Sequence, residues 1–214
     1  MPNAKKTMRR LIFIFTTLLL FSVASYGQDD HLEPAKDLTK YQGQLKEYYD
    51  GIFNLLLDGL SEKPLARYLV LPSFSAEYIL SVEKDSSENF KIVVHCCSEN
   101  SWYSKDKCSV NVKKYDKLID KNFALSIKKL FDKVTGQIKQ PDNLRIGADG
   151  TTYYFSTTTD TEQLVTGEKW SPIKGIKMDK LVQVCEDLML FALDRIDNKN
   201  VLIDKINAFQ IDLE

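Results

Sequence analysis

The segment His95-Cys96-Cys97 places nucleophilic thiols beside a base, which is the pair of groups that thiol catalysis requires. A cysteine enzyme that uses Cys97 with His95, in thiol exchange or acyl transfer, is therefore one hypothesis for this chain. Adjacent side chains on a β-strand point to opposite faces, so His95 and Cys96 cannot share a proton. His95 and Cys97 share a face but stand about 6–7 Å apart along the strand. The spacing favours structural cysteines, and we assign no catalytic residue.

The cysteines of the chain are Cys96, Cys97, Cys108 and Cys185. Four cysteines allow three complete pairings, and a bond between the neighbours Cys96 and Cys97 would be strained. Cys97 points away from the apolar row that contains Cys96, so we predict a disulfide between Cys97 and Cys108. Cys96 and Cys185 fall on predicted apolar faces, and we expect them to be bonded to each other or buried as inert thiols.

Metal and cofactor sites have weak support in the sequence. His95, Cys97 and Cys108 offer three ligands, but an oxidising compartment would bond the thiols instead. The sequence contains no Cys-x-x-Cys pair, no Gly-rich phosphate loop and no Gly-x-Ser-x-Gly elbow. We therefore expect neither a metal nor another cofactor.

Aromatic side chains are the remaining candidates for function. Trp102, Tyr103 and Trp170 fall in predicted loops, and Tyr153 and Tyr154 point to opposite sides of a predicted strand. Exposed aromatic groups stack on sugars or anchor a protein partner, although Tyr and Trp also commonly cover the edges of a sheet. The candidate binding residues are Trp102, Tyr103, Tyr154 and Trp170.

The first 27 residues have the pattern of a cleavable secretory signal. Four basic residues precede an apolar run of 14 residues from Leu11 to Ala24, whereas a spanning helix needs roughly 20. Ser25 and Gly27 are the small residues a signal peptidase reads, so we favour cleavage after Gly27 over cleavage after Ala24. We expect export to the periplasm or beyond the cell, with no stable membrane span after cleavage.

Cleavage changes the charge of the chain. It removes four of the 29 basic residues and none of the 30 acidic residues, so the remaining 187 residues carry a net charge of -5. Nucleic-acid binding needs a basic stripe, and the pairs Lys113-Lys114 and Lys128-Lys129 lie among acidic neighbours. We expect no nucleic-acid partner. A chain of this length can bury an adequate core without metals.

Apolar residues at steps of three and four predict three amphipathic helices. The first runs from Asp37, which can cap it, to Leu60; the second spans Phe123 to Ile138, and the third runs from about Met178 to Ile196. A short amphipathic tail follows from Val201 to Phe209. Gly51 costs the first helix stability, which points to a close contact at that position.

Alternating apolar residues predict a hairpin of Glu77–Glu83 and Phe90–Cys97 with one buried face. Leu65–Leu71 is a short strand or a helical turn, and Cys108–Tyr115 is a possible further strand.

Asp149-Gly150 predicts a second hairpin, between Leu144–Ala148 and Thr151–Thr158, because this dipeptide accepts the positive dihedrals of a primed turn. A loop containing Gly167 and Trp170 follows. The order of elements predicts an α+β fold, with a small antiparallel sheet packed on one side against about three helices. Residues 28–36 are expected to form a loose leader, and residues 37–214 a single domain.

No motif in the chain is specific for a known family. The function we expect is that of a non-enzymatic binding or accessory protein with a protein or glycan ligand. The thiol enzyme described above is the alternative. An immunity-type inhibitor of an exported toxin is a weaker one, motivated by small size, export and an acidic surface.

Overall fold

The computed structural model describes residues 30–105, 110–141 and 149–213. The predicted signal and its cleavage site, Cys108, and the predicted strand at 144–148 lie outside these ranges. The described strands are β1 (Glu33–Pro34), β2 (Ala66–Pro72), β3 (Tyr78–Lys84), β4 (Phe90–Cys97), β5 (Val112–Ile119), β6 (Thr151–Thr158) and β7 (Leu164–Trp170). The described α-helices are α1 (Gly43–Leu57), α2 (Lys121–Thr135), α3 (Lys177–Ala192) and α4 (Lys199–Asp212).

All described strands join one antiparallel sheet in the order β1-β7-β6-β2-β3-β4-β5. Strands β2 to β5 form a meander, and the β6–β7 hairpin lies beside β2. The predicted α+β class with an antiparallel sheet is confirmed, although the sheet has seven strands and four helices accompany it. Within the described ranges, no α-helix combines the length and the apolar character that crossing a bilayer requires.

One face of the sheet packs against α2 and α3, and α4 packs against these two helices. On β4 the row that faces these helices contains Phe90, Ile92 and Val94, as the alternation predicts. Ile127 of α2 and Leu188 of α3 are fully buried in the same core.

The opposite face packs against α1, so the expectation that the helices lie on one side of the sheet is wrong. Ile52 and Leu56 of α1 are fully buried and join a second core with Leu69 and Ile79. The physical reason is visible in β2, whose residues from Ala66 to Leu71 are all buried. A strand that is apolar at successive positions needs cover on both faces.

Helix α1 is shorter than the helix predicted from Asp37 to Leu60. The Asp37 carboxylate accepts the Thr39 N–H at 3.1 Å and caps a separate turn of 3-10 helix, Leu38–Lys40. Gly43, at φ +60°, begins α1 after this turn. The close contact expected at Gly51 is not found: among the described residues, apart from its chain neighbours and the backbone of its own helix, no heavy atom lies within 4 Å of the position a Cβ would take there.

One strand of the hairpin predicted around Asp149-Gly150, residues 144–148, lies outside the described residues. The other strand, β6, is paired with β2 on one edge and with β7 on the other. The predicted loop around Gly167 and Trp170 is this strand β7 instead. Gly150 instead permits a close approach, since a Cβ there would lie 2.7 Å from the indole Nε1 of Trp170.

The segment predicted as a loose leader is held against the sheet in its described part. Leu32 is fully buried, and Glu33 and Pro34 pair with β7. The Glu33 carboxylate forms an ion pair at 2.8 Å with the Lys169 ammonium, which is fully buried. This polar segment is therefore held in place by an ion pair with a buried charge. The pattern of apolar residues in the sequence does not reveal such an ion pair.

Candidate functional site

A surface cavity of about 400 Å³ opens at one end of the sheet, on the face that α1 covers. Its walls come from α1, from the loop after β4 and from the adjoining ends of β2, β6 and β7. We call it the aromatic cavity. Its aromatic lining residues are Tyr48, Tyr49, Trp102, Tyr103 and Trp170.

The aromatic cavity brings together three of the four residues named from the sequence as a binding face. Trp102 and Tyr103 contribute from the loop, where they are 40% and 60% exposed. Trp170 stands at the end of β7, beside Thr152 of β6. Both tryptophans of the chain therefore line the same cavity.

Tyr154 does not line the aromatic cavity. Its ring is buried beneath α1, with its centroid 6.3 Å from that of Phe53. It stands two residues from Thr152 on the same face of β6, where the helix covers the strand. Tyr153 points to the other face and stacks on Tyr68, so the predicted opposition of the two tyrosines is confirmed.

Two tyrosines of α1 complete the wall and were not identified from the sequence as site residues. The ring of Tyr48 meets Trp102 edge to face, with centroids 5.4 Å apart at 83°. Tyr49 lies beside it, 5.2 Å from the Tyr48 ring. Helical spacing assigns Tyr48 to the core, and it is indeed 9% exposed. The sequence signal that could have identified them is the adjacent pair Tyr48-Tyr49. Neighbouring residues on a helix point in different directions, so one of the two rings is expected outside the core.

Asn100 holds the aromatic loop in place with both ends of its amide. The amide nitrogen donates to the carbonyls of Pro72 and Ser75 at 3.2 and 2.8 Å. The amide oxygen accepts the backbone N–H groups of Trp102 and Tyr103 at 3.1 and 3.2 Å. Four hydrogen bonds from one side chain thus fix the two ring-bearing residues relative to the end of β2.

Glu77 supports the same loop from below. Its side chain is fully buried, and its carboxylate accepts the Tyr48 hydroxyl at 3.0 Å. Both carboxylate oxygens also accept the Ser101 N–H, at 3.1 and 3.0 Å. Burial raises the pKa of Glu77, although these hydrogen bonds act in the opposite direction. Burial and the nearby Glu77 carboxylate also raise the pKa of Tyr48, which keeps its hydroxyl as a donor.

The opposite wall carries an ion pair between a buried carboxylate and an exposed ammonium group. Glu168 of β7 accepts the backbone N–H of Lys36 at 3.0 Å and forms an ion pair with its ammonium at 3.2 Å. Lys36 lines the aromatic cavity, and so does Asp149, which is exposed at its rim. The charge of Lys36 is therefore already matched within the protein.

A further aromatic pair extends the site outward. The rings of Phe74 and Tyr103 are stacked, with centroids 6.1 Å apart at 16°, and Phe74 is 67% exposed. Phe74 lies in the turn between β2 and β3, which has no periodic pattern that would have identified it. The aromatic surface thus continues from the cavity onto the outside of the protein.

The proposed thiol pair lies in the core beneath α1, away from solvent. His95 is 3% exposed, and its Nδ1 lies 2.7 Å from the Leu56 carbonyl oxygen. Burial has the largest effect on the pKa of His95 and lowers it, while the hydrogen bond to Leu56 acts in the opposite direction. Cys97 is 6% exposed, and burial, together with Glu77, raises the pKa of its thiol to about 12. A thiol with this pKa is protonated at neutral pH and is a poor nucleophile.

The cysteines described by the structure, Cys96, Cys97 and Cys185, carry free thiols. Cys185 is fully buried, which is one of the two states expected for it, whereas Cys96 is only partly buried and is not bonded to Cys185. Cys108 lies outside the described residues, but its predicted partner Cys97 carries a free thiol, so the predicted Cys97–Cys108 disulfide is not formed in this structure.

Among the described residues, no three His, Cys, Asp or Glu side chains lie close enough to hold a metal ion. Comparison with known proteins found no matching family model, no matching curated protein and no matching solved structure. The aromatic cavity is therefore the candidate functional site.

Proposed function

We propose that this protein is a non-enzymatic binding protein that holds its ligand in the aromatic cavity. The observation that carries the proposal is that both tryptophans of the chain, with three tyrosines, line one cavity. Tryptophan and tyrosine supply most of the binding energy in many interfaces. The volume of about 400 Å³ lies within the range of ligand sites, about 300–1,000 Å³.

The rigidity of the walls supports binding as the task of the site. Asn100 and Glu77 fix the loop that carries Trp102 and Tyr103 before any ligand arrives. A preorganised site loses less conformational entropy on binding, which leaves more of the contact energy as affinity.

The placement of the reactive groups favours binding over thiol chemistry. Cys97 and His95 are buried, and a high pKa keeps the thiol protonated. Neither of them lines the aromatic cavity. A ligand in the cavity would therefore meet ring faces, hydroxyl groups and the Asp149 carboxylate instead of an activated nucleophile.

We also propose that the protein acts in the periplasm or outside the cell, on the strength of the signal-like pattern in residues 1–27. The intact mass of protein recovered from a periplasm tests this. A mass that corresponds to a chain beginning at Gln28 supports export with cleavage. The mass of the uncleaved chain, recovered from the cytoplasmic fraction, argues against export.

A ligand screen with matched variants tests the proposed binding role. Glycans, peptides and small organic ions would be screened by thermal shift, and hits measured by calorimetry. The test variant is Trp102→Ala with Tyr103→Ala. The matched control is Tyr115→Ala, because Tyr115 on β5 is 41% exposed and Trp102 is 40% exposed.

We expect ligands of the cavity to bind the double variant at least about tenfold more weakly, given the energies typical of aromatic hot spots. The control should bind as the wild type does. If every ligand that binds the wild type binds the double variant equally well, the cavity is not the binding site and the proposal fails.

A further inference from the structure

Among the described residues, those that line or directly support the aromatic cavity carry more negative than positive charge. Glu77 lies directly behind Tyr48, and its hydrogen bonds come from Tyr48 and Ser101 and from no basic side chain in the described ranges. Asp149 adds a carboxylate at the rim. Lys36 is the one basic residue of the wall in the part of the chain that the structure describes, and Glu168 matches its charge. A cation in the cavity would therefore be attracted.

The ring faces around this charge are themselves attractive to a cation. Aromatic faces carry the negative side of the ring quadrupole, and tryptophan holds cations best among the aromatic residues. Tyr48 donates its hydroxyl hydrogen to the Glu77 carboxylate at 3.0 Å. Such a bond polarises the phenol and moves electron density into its ring, so the carboxylate strengthens the face that Tyr48 offers.

Asp149 offers its carboxylate at the rim, but the polar groups further inside the cavity favour a cation that needs no hydrogen-bond acceptors. A primary ammonium group has three donors to satisfy. The Glu77 oxygens are used by Tyr48 and Ser101, and the Ser73 hydroxyl accepts the Gly150 N–H at 3.0 Å. A quaternary ammonium group has no donors, and aromatic faces alone can surround it.

We propose that the aromatic cavity binds a quaternary or trimethylated ammonium group carried by its ligand. This rests on the proposed function, because it specifies the chemistry of the ligand for the same cavity. A neutral sugar is the competing occupant, since its apolar face can stack on the same rings. The two differ in charge, because only the cation responds to Glu77 and Asp149.

Choline and its neutral isostere, 3,3-dimethylbutan-1-ol, provide the decisive comparison, because a carbon atom replaces the charged nitrogen at nearly constant shape. Binding would be measured by calorimetry at fixed ionic strength. The indole N–H signals of Trp102 and Trp170 in NMR spectra would locate the site. We expect choline to bind at least about tenfold more tightly than the alcohol, in line with a desolvated cation–π contact.

Charge-neutralising variants test which carboxylates contribute. Glu77→Gln and Asp149→Asn should each weaken the binding of choline several-fold more than the binding of the alcohol, because only choline carries a charge. Asp149 is exposed, so Asp149→Asn tests the charge even if Glu77→Gln proves too unstable to purify. Trp102→Leu should weaken both ligands, and Tyr115→Leu should weaken neither.

Two results would overturn the inference. One is equal affinity for choline and the alcohol. The other is a titration with choline that produces no saturable shift of the Trp102 and Trp170 indole signals. Neither result touches the proposed function by itself. That proposal stands if another ligand loses affinity in the Trp102→Ala, Tyr103→Ala variant, and it fails only if no ligand does.

Discussion

Replacing Glu77 by glutamine would leave one amide oxygen to accept the hydrogen bonds that Tyr48 and Ser101 now donate to two carboxylate oxygens. It would also place an NH2 group at a side chain that is fully buried. A buried donor without an acceptor costs about 1–3 kcal/mol. We therefore expect Glu77→Gln to lower the free energy of unfolding by about that amount when the wild-type carboxyl is neutral.

The difference between the two proteins should depend on pH in a defined direction. Burial raises the pKa of Glu77 above its ordinary value of 4.5, so the unfolded chain loses this proton before the folded protein does. The stability contributed by the protonated group is complete below 4.5 and is lost as the pH rises through the folded-state pKa. Glutamine does not titrate, so the gap between wild type and variant should be largest in acid and narrow as the pH rises.

Urea unfolding followed by circular dichroism, repeated from about pH 4 to pH 8, would measure this gap by linear extrapolation. Glu62→Gln is the matched control, because Glu62 is exposed and the same charge is removed. The control should show little change at any pH. A gap for Glu77→Gln that stays constant with pH would refute the reasoning, because Glu77 would then ionise equally in the folded and unfolded states.

Four further predictions concern the surroundings of single residues. Iodoacetamide at about pH 8 should leave Cys97 unmodified in the native protein and modify it in urea. The reason is that burial raises the pKa of the Cys97 thiol to about 12. Rapid labelling of the native protein, measured by mass spectrometry, would contradict this prediction. Gly51→Ala should raise the free energy of unfolding by about 0.5–1 kcal/mol, since no described heavy atom lies within 4 Å of the added Cβ apart from its chain neighbours and the backbone of its own helix. Gly150→Ala should lower the free energy of unfolding and shift tryptophan fluorescence, because the added Cβ would lie 2.7 Å from Trp170 Nε1. If Gly51→Ala and Gly150→Ala changed the free energy of unfolding equally, the space around each glycine would not explain the effects. Asn100→Ala should speed hydrogen exchange at the amides of Trp102 and Tyr103, which lose their acceptor, while the amides of α3 remain unchanged; unaltered exchange in the loop would show that Asn100 does not hold it.

The elements with a strong periodic pattern were predictable from the sequence. The bounds predicted for β4 agree with the structure, and α2 and α3 lie where apolar residues recur at helical spacing. The position of α1 was not predictable from its own pattern. An amphipathic helix has one apolar face whichever side of the sheet it covers, so the continuous burial of β2 decides the side.

The turn around Gly150 shows what a local signal leaves out. Asp149-Gly150 followed by Thr151 is a strong hairpin pattern, but it does not identify β2 and β7 as the partners of β6. The glycine is needed for the approach of Trp170 from another strand. Long-range contacts of this kind leave no trace in the spacing of neighbouring residues.

The binding face was predictable in part, for a related reason. Trp102, Tyr103 and Trp170 were identified from their residue types, because aromatic side chains in predicted loops can stack on sugars or anchor a protein partner. Tyr48 and Tyr49 were not identified, because the pattern of α1 does not show which other elements the helix packs against. Glu77, which links Tyr48 to the loop, lies 29 residues from it in sequence and joins it only in the folded protein.

The order of strands in the sheet also constrains how the protein reaches its native state. Strands β2 to β5 pair with their sequence neighbours, but Leu69 of β2 lies opposite Tyr154 of β6, 85 residues further along the chain. Pairings between distant segments make folding slow, because a large loop must close before the contacts form. The aromatic cavity takes walls from both sides of this junction. Binding competence should therefore appear late in refolding, after the β6–β7 hairpin has joined the meander.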